Sequence, residues 1–325
     1  MKAPLQSSMP YPMTFSQILD RIFRLMRSQL KLFVGIASVP AAAFFLIFAL
    51  VFAIAFIPGL TQLPKPPDPA QFFRFFIPSM LLMMPLSLAV FALYLAASIH
   101  AAMKANLGIQ ITFREAYQVA WKRIGRYLWL MLLIYLIAFL PMLVIELVMI
   151  VPMQLFALGK SGPLTPSVYL IPLEMLLFIA ALVYGVIIAM RLSLAFPASL
   201  AEDLTARAAL RRSGKLARGA KGRIFLILLV IYALGYAAEM VGFIVIAAII
   251  GVGALLLMAL HVTLAPVVGI AAAALATLCF FAFIFLWAAL LWAAFSIAIA
   301  VLYHDQRLRK EGPPPAPTAI VEGQA

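Results

Sequence analysis

Four ionisable side chains stand inside otherwise apolar runs: Glu146, Glu174, Arg191 and Glu239. A charge held in hydrocarbon costs a few kcal/mol, about 2.5–3.5 on insertion scales, so such residues persist where they act or find a partner. Two carboxyls facing one polar interior can relay protons or bind a cation with raised pKa, and Glu146 and Glu239 are the candidates for that chemistry. Each could instead sit protonated against a neighbouring helix or reach the outer interface. Glu174, near a helix start, is expected to reach water. Arg191 precedes Glu202 by 11 residues, about 16 Å along a helix. It can snorkel to the cytoplasmic headgroups, bind a lipid phosphate, or pair with an acid inside the bundle.

A second constellation is basic. Arg211, Arg212, Lys215 and Arg218 crowd one short segment, and cations at that density suit the phosphates of anionic lipid headgroups, with Glu202 upstream to order the loop. Enzyme signatures are missing from the sequence: there is no phosphate-binding glycine loop, nucleophile elbow, His-Glu-x-x-His or acidic cluster for a divalent metal. His100, His261 and His304 show no metal-ligand spacing. The single cysteine, Cys279, excludes an internal disulfide and is expected to pack in an apolar helix. No cofactor is implied.

The elements that must position these groups are read from hydropathy. Of 325 residues, 66% are apolar and 11% charged, and the mean hydropathy is +1.12; a water-soluble domain of this size needs far more charge on its surface. The apolar residues come in runs longer than the roughly 20 residues that cross a bilayer core of about 30 Å. Six spans follow, near 32–57, 79–103, 127–157, 168–200, 224–258 and 267–302. Several runs exceed the minimum length, so tilt, protruding ends or breaks at Gly251–Gly253 are expected, while Pro40, Pro85, Pro141 and Pro152 should kink helices without ending them. Met1 to Thr14 carries no pattern of a removable signal peptide, so the first span is expected to direct insertion.

Basic residues sort the loops. Twenty of the 24 Lys and Arg lie in the N-terminal segment, the second loop, the fourth loop and the C-terminal segment; the other loops hold only Lys65, Arg74 and Lys160. Positive charge marks the cytoplasmic side, so the protein is expected to be a multi-pass bacterial cytoplasmic-membrane protein with both termini inside. Nucleic-acid binding is not expected, because the excess charge has no soluble basic domain to carry it.

The three large cytoplasmic segments resemble one another. Each opens at a threonine (Thr14, Thr112, Thr205), runs as a short basic amphipathic helix and enters a span, with intervals of 98 and 93 residues. Gln17 and Glu115 stand three residues after their threonines, the spacing of a capping box, whereas Ala208 replaces that residue in the third copy. In the first copy Phe15, Ile18, Leu19, Ile22, Phe23 and Met26 share the apolar face. Glu146 and Glu239 both lie 34 residues after their threonines, where the first copy has Phe48. The expected fold is therefore an all-α integral membrane protein. About six spans form three hairpins, each preceded by an interfacial helix, in one domain over 1–310 with repeats of about 14–107, 112–200 and 205–310. A Pro-rich tail, 311–325, should be disordered, and Leu60–Pro69 and Gly159–Pro166 should be short outer connectors.

Thr14-Phe-Ser-Gln-Ile-Leu-Asp-Arg-Ile-Phe-Arg-Leu, Pro197 to Glu202 leading into Ala208 to Arg218, and Tyr303-His-Asp-Gln-Arg-Leu-Arg-Lys-Glu-Gly312 resemble the bacterial glycerophosphoryl diester phosphodiesterase membrane-domain family. That resemblance implies a six-span membrane module, sometimes joined to a soluble phosphodiesterase barrel whose metal ligands and catalytic histidines have no counterpart in this sequence. Gly214 stands where an aromatic commonly follows Arg-Arg-Ser in the family. Three functions are weighed. The first is a non-enzymatic module that organises anionic phospholipids of the bilayer, a partner membrane protein or a separate phosphodiesterase. The second is a transporter or channel for ions or glycerophosphodiester-like solutes lined by Glu146, Glu239 and Arg191, and the remote third is an intramembrane enzyme.

Overall fold

The computed structural model describes residues 11–61, 69–158, 167–259 and 266–312. Among the described residues there are ten helices and no strand: α1 (Phe15–Ser28), α2 (Leu30–Thr61), α3 (Pro69–Asn106), α4 (Phe113–Lys122), α5 (Ile124–Leu158), α6 (Ser167–Leu192), α7 (Ala195–Ala201), α8 (Ala206–Ala217), α9 (Lys221–Ala259) and α10 (Pro266–Glu311). Six stretches are long and apolar enough to cross a membrane: Leu30–Leu50, Met83–Asn106, Ile124–Val148, Pro172–Ala201, Lys221–Gly253 and Leu275–Glu311. The chain is a polytopic, all-helical membrane protein. Backbone N–H and C=O groups have no water to bond in hydrocarbon, which is why the apolar runs are helices throughout.

Short helices precede α2, α5 and α9. Thr14 Oγ1 accepts the Gln17 N–H at 3.4 Å while Gln17 Oε1 accepts the Thr14 N–H at 2.8 Å. The same reciprocal pair joins Thr112 and Glu115, at 3.3 and 2.9 Å. At α8 the Thr205 side chain makes no capping bond. The buried side of α1 is Ile18, Ile22 and Leu25. Phe23, expected on that face, is exposed instead: at about 100° per residue it stands one step beyond Ile22, outside the narrow stripe that α1 buries.

The long helices depart from expectation in three places. The fourth run is broken at Ser193 and Leu194, between α6 and α7. Ser213 diverts the backbone there, its hydroxyl accepting from the Leu194 N–H at 3.2 Å and donating to the Arg191 carbonyl at 2.7 Å. Pro197, lacking an N–H, could not have bonded the Ser193 carbonyl. Conversely α9 runs unbroken through Gly251 and Gly253, because a glycine penalty of about 1 kcal/mol is small beside an unsatisfied backbone group in lipid. Finally, Glu311, assigned to the head of the tail, is the last residue of α10. Residues 313–325 of the tail, the interior of the first expected outer connector (62–68) and the whole of the second (159–166) lie outside the described residues, as does His261.

The described chain groups into two compact units, one drawing on Met13–Ile124 and Leu226–Val301, the other on Gly125–Phe225 and the chain from Leu302 onward. In the first, α4 packs on α2 and α3. The Phe113 ring lies where a side chain at Gly35 would stand, 3.3 Å from an ideal Cβ, and Tyr117 OH donates to the Ile36 carbonyl at 2.7 Å. Arg21 from α1 donates to the Asn106 carbonyl at 2.8 Å and to its Oδ1 at 3.1 Å, satisfying a carbonyl at the end of α3 with a cation. Burial, followed by the nearby Arg24 charge, lowers the Arg21 pKa. Buried Tyr94 of α3 donates to the Ala289 carbonyl of α10 at 2.6 Å. The second unit carries the candidate site.

Candidate functional site

The site is built on α8. Ala206, Ala209, Ser213, Leu216 and Ala217 are buried, and the alanines and serine among them let the helix lie close against α7 and α6. On the other side Arg207, Arg211, Lys215 and Arg218 are exposed, and at about 100° per residue they occupy an arc of about 80°. Among the described residues none of these four side chains makes a hydrogen bond or ion pair. Arg207, Arg211 and Lys215 line an open basin of about 520 Å³ together with Glu202, Leu204, Thr205, Ala208 and Arg212.

Arg212 behaves differently from its neighbours. It donates through Nε and Nη2 to Glu202 Oε1, at 3.0 and 2.9 Å, and also pairs with Glu311. Tyr303 OH donates to the same Glu202 oxygen at 2.6 Å, and Arg307 Nε reaches Glu311 Oε2 at 3.1 Å. The Glu202 hydrogen bond holds the Arg212 pKa above its ordinary value; burial opposes this and Glu311 adds to it. Arg212 was expected on a headgroup phosphate. Here it braces α8 between two carboxylates, and the open positions belong to Arg207, Arg211 and Lys215.

The surrounding chain fixes α8 at both ends. Glu202 closes α7, its N–H donating to the Ala198 carbonyl at 3.0 Å. Asp203 then takes a left-handed turn with φ of 53° and pairs with Arg126 at 2.5 Å. At the other end Lys310 Nζ donates to the carbonyls of Lys215 at 2.5 Å and Arg218 at 2.9 Å, the cation-at-C-terminus arrangement that the helix dipole favours. Asp305, fully buried, is matched by Arg223 at 3.3 Å and Arg309 at 2.9 Å.

Arg191 is brought to the same helix. It is exposed at the end of α6, and its side chain lies over Gly214, with Nε 3.2 Å from where a Cβ would stand. The space a side chain at position 214 would occupy is thus taken by an arginine from another helix. Glu146 and Glu174 are exposed on α5 and α6, and Glu239 is partly exposed on α9. Among the described residues none of the three carboxylates forms a hydrogen bond or ion pair. Glu146 and Glu239 fall in different units. Phe48, at the matching position of the first copy, packs against Phe281 in a tilted pair with centroids 3.9 Å apart. Cys279 is exposed on α10 rather than packed, since the run around it faces outward as readily as inward in an all-apolar helix. No group of three His, Cys, Asp or Glu among the described residues is placed to hold a metal ion.

Arg207 was not singled out by the sequence, although it stands four residues before Arg211 and eight before Lys215, the spacing that makes one exposed row. Tyr303 and Glu311 carry no local signal for their role, since their partners lie about a hundred residues away. No family model, curated protein or solved structure matches the chain.

Proposed function

We propose that this polytopic protein is a non-enzymatic membrane module that holds anionic lipid headgroups on α8, through Arg207, Arg211 and Lys215. The observation that carries this reading is the open basin lined by three cations that have no side-chain partner among the described residues, beside arginines at Arg126, Arg212, Arg223 and Arg309 that all have carboxylates. Gly219, with φ of 80°, turns the chain from α8 directly into α9, whose first buried apolar residue is Ile224. That keeps α8 near the level at which the chain enters hydrocarbon, where headgroup phosphates lie. The proposal includes a bacterial cytoplasmic membrane, cytoplasmic termini and three hairpins repeated in sequence. It also includes kinship with the glycerophosphoryl diester phosphodiesterase membrane domains. The stretches on which that resemblance rests supply Glu202, Arg212, Tyr303 and Glu311, which meet at α8.

Basic residues near an anionic surface contribute about 1 kcal/mol each, so removing three should weaken retention on the order of a hundredfold. The test is native mass spectrometry of the purified chain titrated with phosphatidylglycerol. Arg207→Gln, Arg211→Gln and Lys215→Gln together should strip the lipid adducts while leaving the protein monodisperse; adducts of undiminished abundance would refute the assignment.

A further inference from the structure

Resting on that reading, the geometry points to a more specific ligand: we infer that the α8 site takes a lipid whose single headgroup carries two phosphates. Positions 206–218 contain five Lys and Arg and no Asp or Glu. Arg207 and Arg211, and again Arg211 and Lys215, are like-charge pairs one turn apart, an arrangement that destabilises a helix. Among the described residues no carboxylate neutralises them, since those nearby are engaged with Arg212 and Arg126. A local rule broken without compensation marks a place where a ligand supplies the missing charge.

One phosphodiester supplies too little. It bears one negative charge, whereas the exposed row holds four cations and Arg191 over Gly214 adds a fifth. The row from Arg207 to Arg218 is about 16 Å long, at about 1.5 Å per residue, more than one phosphate reaches. Two phosphodiesters joined through one glycerol bring two negative charges on one headgroup and engage more of the row than a single phosphate can. Once the first sits in the basin of Arg207, Arg211 and Lys215, the second engages Arg191 and Arg218 as an intramolecular event, at high effective concentration. Leu204 and Ala208 in the basin wall offer apolar contact to the bridging glycerol. Arg191 closes the last turn of the apolar helix α6, so the second phosphate is met from the bilayer side, which favours a lipid over a free anion.

The test compares diphosphatidylglycerol with phosphatidylglycerol at equal phosphate, by native mass spectrometry of the full chain and of the same chain in nanodiscs. The expected result is at least tenfold tighter retention of the two-phosphate lipid. Arg191→Gln with Arg218→Gln should reduce that preference below threefold while keeping the phosphatidylglycerol adduct. Gly214→Leu, which puts a side chain in the place of Arg191, should do the same without removing a charge. Soluble glycerol bisphosphate should compete at least a hundredfold more weakly than the lipid. Equal retention per phosphate, a preference that survives both variants, or competition by the soluble ester at parity with the lipid would each overturn the inference. If phosphatidylglycerol is held and lost in the basin triple variant, but no preference exists, this inference falls and the broader function stands. If neither lipid is retained, both fall.

Discussion

One carboxylate oxygen of Glu202 accepts two N–H groups from Arg212 and the hydroxyl of Tyr303, so a single atom ties the end of α7 to α8 and to α10. Hydrogen bonds to a charged acceptor contribute about 1.5–3 kcal/mol each in favourable settings, but Arg212 and Glu202 remain 24% and 20% exposed, so water weakens the pair. Tyr303→Phe should cost about 1 kcal/mol, because the hydroxyl loses a charged acceptor and the ring stays packed. Glu202→Gln should cost about 1–3 kcal/mol, Glu311 keeping Arg212 partly paired. Detergent thermal melts of the two single variants and the double variant measure this. The double variant should be less stable than Glu202→Gln by clearly less than Tyr303→Phe costs alone, since glutamine keeps an acceptor but loses the charge that strengthens this bond. Full additivity would mean that the Tyr303 contact contributes nothing through Glu202.

At the scale of the element, α1 and α4 are closed at their starts by reciprocal side-chain bonds and α8 is not. Losing a threonine cap costs about 0.5–2 kcal/mol of local helix stability. Thr14→Ala and Thr112→Ala should therefore speed hydrogen exchange in the first turns of α1 and α4 several-fold. Thr205→Ala should leave α8 unchanged, and a comparable acceleration there would contradict the observed geometry. These caps were legible in the sequence because they depend on residues three apart, and the apolar runs were legible because length alone forces a helix in lipid. The break before α7 was not, for it depends on Ser213, which lies 19 residues beyond Leu194. The burial of α1 was legible only as a periodicity, which widened the face to include Phe23. At Gly214 the sequence shows an absent side chain, but only packing shows that Arg191 fills the space. Likewise charge density marked Arg212 as a headgroup ligand, and only the distant partners Glu202 and Glu311 show it already engaged.

At the scale of the whole molecule, two contacts constrain which ends share a side. Arg21, before the first span, binds Asn106 at the end of the second. Lys310, after the sixth span, binds the carbonyls of Lys215 and Arg218, which lie between the fourth and fifth. Each contact joins points separated by an even number of crossings, as a six-span chain with alternating loops requires. The α10 helix has 46 residues, about 69 Å at about 1.5 Å per residue, more than twice the hydrocarbon thickness, so it projects well beyond the bilayer. In the orientation proposed from the basic loops, its basic C-terminal end and the N-terminal segment lie on the cytoplasmic side. Because Cys279 is the single cysteine, Cys279→Ala yields a cysteine-free background in one step. In that background Ser16→Cys and Gly312→Cys should resist a membrane-impermeant maleimide in intact spheroplasts and react after permeabilisation, while Ser161→Cys in the second outer connector should react in both. Labelling of Ser16→Cys and Gly312→Cys from opposite sides would require an odd number of crossings, and would undo both the parity argument and the cytoplasmic placement of α8.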